Sequence, residues 1–420
     1  MVNITINPDK TISINGKKIF PVYMYGVVNI GLDPVTEPAL TSIQKNKDFL
    51  FSTGHSWLDI QDAGYQKMFE DNGMMFNVEL RRTSTTPQSI IDSPMFFGWM
   101  NLDEPAPGVG GGDGACPATD TVQQCFDRVL GYYNDFKARD ANHPVLMNHW
   151  TNLQFWEPCG DIISWDSYPF MDDLGWNRGY WTRLEALYAY EHYAWHGALG
   201  KKEIPAFSKP IWTVLTGFGQ QTSHWLPATP KEIRCNTYLS ITMGVTGIGY
   251  FTYKGWPMGI DGRTAGLFVN QSLFQYYTQL ARELKSLNDI LVIPTIDYSW
   301  EYHKGTKVSF SKTLTSTILW ITRTNFNYML KQSGSTTYLI VVNKDSRSIS
   351  DVGITISGII GAMTAKTLGL ESSGSGRAGR ELSVNNGVFT DTFDGYAVHI
   401  YQISSDIPCP ASECDFTITQ

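Results

Sequence analysis

The chain has 420 residues, of which 42% are hydrophobic and 17% charged, and it carries a formal net charge of −8. That length exceeds what one hydrophobic core usually supports, so one large domain with a smaller companion is expected. Acidic and basic residues are interspersed without a long Lys/Arg run, which argues against a nucleic-acid partner, and no stretch of about eighteen uncharged apolar residues offers a membrane insertion.

In chain order, the Asn15-Gly16 turn and the apolar run from Lys18 to Gly26 predict a short hairpin feeding a buried strand. A second run covers 48–54, a helix from Ile60 to Asn72 stops at Gly73, and 74–79 is a third strand. The fourth run, 96–102, ends in Asp103-Glu104-Pro105; a glycine-rich loop from Gly108 to Gly114, read as a lid, and an amphipathic helix from Thr121 to Ala138 follow. Runs at 145–150 and 161–168 are the fifth and sixth, with a helix from Trp181 to Gly197 behind them, and 211–216 is the seventh. Thr229 and Pro230 supply an N-cap and a first-turn proline for the next helix, and 247–253 is the eighth strand, before a helix from Ser272 to Leu287.

Eight strand and helix units predict an α/β fold, a (β/α)8 TIM barrel over 1–293 with a short N-terminal β-hairpin. Beyond about Pro294 strands follow one another without helices, at 317–322, 338–342, 352–356 and 396–403 among others, so 294–420 reads as a C-terminal all-β, sandwich-like domain. The Ser/Gly-rich stretch 358–379 reads as a loop within it, and the junction offers no flexible linker, so the two parts should pack tightly.

Six cysteines are present. Cys116 with Cys125, and Cys409 with Cys414, each close a short loop suited to a disulfide, leaving Cys159 and Cys235 without an assigned partner. None of the spacings suits a structural zinc site. His192 and His196 have an i, i+4 spacing but no evident third ligand, so neither a metal nor another cofactor is expected. Disulfides favour a secreted or extracellular protein, although Met1 leads at once into polar residues and no leader is legible. Asn3 and Asn270 head Asn-x-Ser/Thr tripeptides that act as glycosylation acceptors only in a eukaryotic secretory route.

Active sites of such barrels lie at the C-terminal ends of the strands. The polar residues there are Tyr25, His55, Glu79, Asp103, Glu104, His149, Trp150, Asp166, Tyr168, Gln220, Gln221, Tyr253 and Lys254. Breaking a glycosidic bond takes one carboxyl group to protonate the leaving oxygen and a second to attack the anomeric carbon or activate water. Glu104 and Asp166 are the candidates for these catalytic roles. Substrate contacts are expected from Tyr25, Glu79, Trp99, Asp103, His149, Trp150, Tyr168, Trp212, Gln220 and Tyr253, with Trp165 a further aromatic near the cleft, because aromatic faces stack on sugar rings.

The segment from Trp99 to Pro105 reads WMNLDEP, a W-x-x-x-D-E-P motif at the end of strand four. With NGKKIFPVYMYG near the start, DIISWDSYP, KPIWTVLTGFG, GVTGIGYFTYKG and a terminal GYAVHIY, the chain resembles the glycoside hydrolases of clan A and their relatives over nearly its whole length. The resemblance implies retaining hydrolysis of a glycoside, with Glu104 as general acid/base. Two departures stand out. Clan members carry a nucleophilic glutamate at the end of strand seven, where this chain has Gly217-Phe-Gly-Gln-Gln221, and they usually have Asn where it has Asp103. Three readings therefore stay open: Asp166 as nucleophile, an inverting enzyme with Asp166 as base, or a catalytically silent barrel that binds glycan or serves as a structural surface component. The enzyme reading is of a monomeric glycosidase acting on an oligo- or polysaccharide.

Overall fold

The computed structural model describes residues 2–28, 37–53, 63–79, 88–107, 116–171, 182–222, 224–254, 265–318, 320–369 and 376–404. His55, the 108–114 loop, Cys409 and Cys414 lie outside the described residues.

Eight parallel strands close into a barrel: β1 (Val22–Tyr25), β2 (Phe51–Thr53), β3 (Met75–Glu79), β4 (Phe96–Met100), β5 (Val145–Asn148), β6 (Ile162–Asp166), β7 (Ile211–Thr216) and β8 (Ile248–Phe251). They neighbour one another in sequence order, and β8 closes on β1 through the register Ile248 to Val22. Each of the eight expected runs is one of these strands, the seventh with the expected bounds and the others shortened at one or both ends.

The helices start where their capping residues dictate. Thr121 caps α1 (Val122–Arg139) and Thr229 caps α3 (Pro230–Met243), each in a capping box with the residue three positions on. Between them, α2 (Ala186–Tyr193) continues into a wider π turn at Ala194–Ala198, and α4 (Gln271–Ser286) follows β8. Asn270 caps α4: its Oδ1 accepts from the Leu273 N–H at 3.2 Å while its Nδ2 donates to the Gly219 carbonyl at 3.1 Å.

Aromatic side chains fill the barrel interior. Tyr23 and Phe97 stack on the two faces of Phe51, and Trp212 packs beside all three. Gly249 is required here, since a Cβ on it would lie 2.4 Å from the Tyr23 ring. The expected N-terminal hairpin is present as Ile12–Ile14 with Lys17–Ile19, and Ile4–Ile6 adds a third strand to it. Ile4 and Ile12 of this small sheet join the interior cluster and close the barrel's N-terminal end.

From Thr295 onward a nine-stranded, wholly antiparallel sheet follows, with a separate hairpin of Thr315–Ile318 and Ile321–Thr324. One face of the sheet, through Ile340, Val342, Val398 and Ile400, shares a core with the barrel's helical layer. The sheet curls so that Val308 and Ile354 near one edge share a second core with Tyr328 and Leu330 near the other, which gives the expected sandwich-like layering. Part of the stretch read as a Ser/Gly-rich loop is instead the strand Ala362–Leu368, whose alternating Ala365 and Thr367 are buried against Ile403 and Tyr401.

Candidate active site

Strand β4 delivers Asp103 and Glu104 to the barrel mouth, where the following segment is pinned onto the end of β5. The Glu104 N–H donates to the Asn148 carbonyl at 3.1 Å, and His149 Nε2 bonds the Pro105 carbonyl at 3.0 Å. Glu104 itself adopts a left-handed conformation, φ 46°. A non-glycine residue held there costs about 1 kcal/mol or more and persists where its surroundings enforce it.

Asp166 is the last residue of β6 and pairs in register with Val214 of β7. Its Oδ2 accepts from the Tyr168 hydroxyl at 3.3 Å. Its Oδ1 is buried and has no hydrogen-bond partner among the described residues, and the Asp166 carboxyl acts on Glu104 both by its charge and by a hydrogen bond. Burial, then the Asp166 charge and this hydrogen bond, then the Asp103 charge, push the Glu104 pKa far above the ordinary glutamate range. Glu104 is therefore a protonated acid at neutral pH.

Asp103 points to a different partner. Asn148 Nδ2 donates to Asp103 Oδ1 at 2.9 Å, and Asn148 Oδ1 accepts from the Ser164 hydroxyl at 2.7 Å, which fixes the amide with its NH2 toward the carboxylate. The aspartate is thus held by a neighbouring donor on β5. The Tyr25 and Tyr168 phenols are buried at the same end; burial, with Tyr23, Asp103 and Asp166 near Tyr25 and with Asp166, Glu104 and Asp103 near Tyr168, keeps both protonated.

An aromatic wall completes the mouth. Tyr168 meets Phe218 edge-on at 5.3 Å, Trp225 at 5.6 Å and Phe251 at 5.9 Å, Phe251 meets Tyr25 at 5.6 Å, and Phe218 stacks on Trp225 at 5.4 Å. Of the expected residues, the fold brings together Glu104, Asp166, Asp103, Tyr168 and Tyr25. Glu79 ends β3, buried and beside Met100. Trp150 stands 51% exposed two residues past β5, with its ring 6.0 Å from that of His149. Gln220 follows β7, where its N–H reaches the Ala265 carbonyl at 3.4 Å.

Four aromatic expectations are corrected. Trp99 points outward, donates from Nε1 to Asp140 Oδ2 at 3.0 Å and stacks on Phe136, so it neither contacts a ligand at the mouth nor desolvates Glu104. The cause is a bulge at β4: Phe76 pairs with Phe96 but Asn77 with Gly98, which reverses the alternation. Gly98 lies against Pro144, where a Cβ would come within 2.3 Å of the carbonyl. Trp165 also belongs to the outer cluster. Trp212 does point inward, but from the second position of β7, deep in the barrel rather than at its mouth. Tyr253 packs on Phe274 and donates to Glu37 Oε2 at 2.7 Å.

His149 is reassigned to a bracing role. Its Nδ1 accepts from the Thr151 N–H at 3.0 Å, so Nε2 carries the proton given to the Pro105 carbonyl, and burial lowers its pKa. Both nitrogens of this neutral ring are occupied. Asn148 and Ser164 were missed, as were Phe218, Trp225 and Phe251; Asn148, Ser164 and Phe251 lie inside the fifth, sixth and eighth apolar runs, but nothing in those runs marks them as site residues. His192 and His196 both bond the Tyr302 hydroxyl, at 2.9 and 3.0 Å, and no cluster of three metal-ligating side chains exists among the described residues. Nor is any helix among them long and apolar enough to cross a membrane.

No protein-family model and no curated protein sequence matches the chain. Solved structures do. A maltogenic α-amylase from Thermotoga neapolitana is 10% identical, with 91% of this chain and 98% of that chain covered at a TM-score of 0.50. An α-amylase from Geobacillus thermoleovorans is 9% identical, with 92% and 98% covered and a TM-score of 0.49. An α-L-arabinofuranosidase from Thermotoga maritima is 9% identical, with 96% and 99% covered and a TM-score of 0.48. At such identities the likeness is one of fold: a closed eight-stranded parallel barrel followed by an antiparallel β-domain.

Proposed function

We propose that the chain is a glycosidase acting on an oligo- or polysaccharide, with Glu104 as general acid/base and Asp166 as nucleophile. The observation that carries this reading is a protonated Glu104 beside Asp166 at the barrel mouth. A pair close enough to interact so strongly is nearer the separation of about 5–5.5 Å that direct attack uses than the about 6.5–9.5 Å that leaves room for a water, so direct attack is favoured.

In the first step Glu104 gives its proton to the leaving oxygen as Asp166 Oδ1 bonds to the anomeric carbon and the glycosidic bond breaks. Tyr168, donating to Asp166 Oδ2, leaves Oδ1 to attack. In the second step Glu104, now a carboxylate, takes a proton from water while the water oxygen displaces Asp166 from the anomeric carbon. Tyr168 presents its hydroxyl group and Trp225 a ring face to the sugar, backed by the buried Tyr25 and Phe218. No cofactor enters these steps. We further propose a secreted monomer; the Cys116–Cys125 disulfide supports an oxidising compartment.

One observation favours a second reading, a silent glycan-binding barrel: the segment after β7 carries Gln220 and Gln221 where clan A relatives have their nucleophile. A panel of glycans separates the two. Release of reducing sugar that disappears in Glu104→Gln supports the hydrolase, whereas saturable binding without turnover supports the binder.

A further inference from the structure

At the end of the barrel opposite Glu104, a cavity of about 530 Å3 lies among the N-terminal sheet, the starts of β7 and β8, the last turn of α3 and the first strands of the β-domain. Much of its wall is apolar, including Phe20, Ile241, Val245, Val292 and Met329. Lys331 of the strand Phe326–Ser333 lines the same cavity and is only 5% exposed.

Its ammonium donates to the Leu291 carbonyl at 3.0 Å and the Ile293 carbonyl at 2.7 Å. An ammonium has three donors, so these neutral partners leave a third for the cavity and do not neutralise the charge. The lining carboxylates are committed elsewhere. Asp9 pairs with Lys18 and accepts from the Thr11 hydroxyl at 2.6 Å, while Asp297 accepts from the Thr306 N–H at 3.0 Å and the Tyr328 hydroxyl at 2.7 Å. The lining His303 faces Glu203. Two more lysines line the cavity: Lys10 donates to the Pro205 carbonyl at 2.6 Å and Lys209 to the Glu157 carbonyl at 2.7 Å.

A buried cation without a counter-ion is costly, and burial accordingly lowers the Lys331 pKa to about 8, with Asp9 opposing. An apolar wall with one buried, uncompensated cation has a specific chemical complement. We propose that this cavity binds an amphiphilic carboxylate, its alkyl chain against the apolar wall and its head group on Lys331. The volume falls in the range of small-molecule sites, and the site is separate from Glu104 and Asp166, so it stands or falls independently of the glycosidase reading.

Calorimetric titration of the whole chain with octanoate and with octanol tests this. Saturable octanoate binding at least about tenfold tighter than octanol is expected, because one hydrogen bond to a charged group is worth that much. Lys331→Met should lose the preference for octanoate, and Val292→Trp, which fills the cavity from a partly exposed position while leaving the lysine, should weaken octanoate about tenfold or more by displacing its chain. Equal affinity for octanol, no saturable binding, or undiminished octanoate affinity in Val292→Trp would overturn the proposal even if Lys331→Met failed to fold.

Discussion

Glu104, past the end of β4, is kept protonated by burial and by the Asp166 carboxyl at the end of the non-adjacent β6. A glutamate whose folded pKa is raised contributes stability that is fully present below its ordinary unfolded value of 4.5 and is lost as pH rises through the folded value. Wild-type protein should therefore lose stability progressively above about pH 4.5 through this group. Glu104→Gln removes the penalty, so its melting temperature should exceed the wild type's by an amount that grows with pH, roughly 1–2 °C for each kcal/mol relieved in a chain of this length. Melting curves at several pH values check this; a difference that shrank toward alkaline pH would contradict the assignment.

Asn148 joins Asp103 to Ser164, so Asn148→Ala should leave the Asp103 carboxylate without its amide donor while removing little apolar packing. The expected cost is about 1–3 kcal/mol, or roughly tenfold to a hundredfold in kcat/KM. The pH profile should shift as well, because an Asp103 freed to move changes the field on Glu104. A variant that lost stability but kept the wild-type profile would place Asn148 in a purely structural role.

Lys344 of the β-domain strand Thr336–Asn343's following turn inserts its ammonium against Glu191 of α2, and also bonds Asn327 Oδ1 at 2.9 Å. Both side chains are buried, so removing one strands the other's charge. Lys344→Met should cost about 3–5 kcal/mol, and adding Glu191→Gln should recover part of it. Chemical denaturation of the two variants reads this coupling directly.

How far the sequence reaches differs between fold and site. Apolar runs bounded by turn residues marked all eight barrel strands, and Thr121 and Thr229 marked two helix starts, because both signals are local. Strand ends also located Asp103, Glu104, Asp166 and Tyr168. Facing and height were not legible. A bulge at Gly98 turned Trp99 outward where simple alternation puts it on the same side as Phe97. Trp212 faces inward, yet near the start of its strand. The Asn148 side chain joins Ser164 to Asp103, contacts between residues 16 and 45 positions apart that no local pattern records. Trp225 reaches the mouth through a bridge to Met171, again a pairing that only the assembled loops make.

The Cys116–Cys125 disulfide closes a loop of sequence separation 9 at the start of α1, downstream of Glu104. Loop-closure entropy gives it about 2–3 kcal/mol, so Cys125→Ser should lower the denaturation midpoint accordingly. Peptide mapping of the unreduced protein should recover 116 and 125 as one linked pair, and Cys159, buried with its thiol pKa pushed by burial up to about 12, should resist alkylation until the chain unfolds.

The most direct test compares Glu104→Gln and Asp166→Asn on a natural glycan and on aryl glycosides with good leaving groups. Glu104→Gln should lose about 10²–10⁴-fold on the natural glycan and much less on the aryl glycosides, whose leaving oxygen needs no proton. Asp166→Asn should be nearly inactive on both, since no carboxylate then meets the anomeric carbon. Wild-type turnover by Asp166→Asn on either substrate would contradict the account and remove Asp166 as the second carboxyl group.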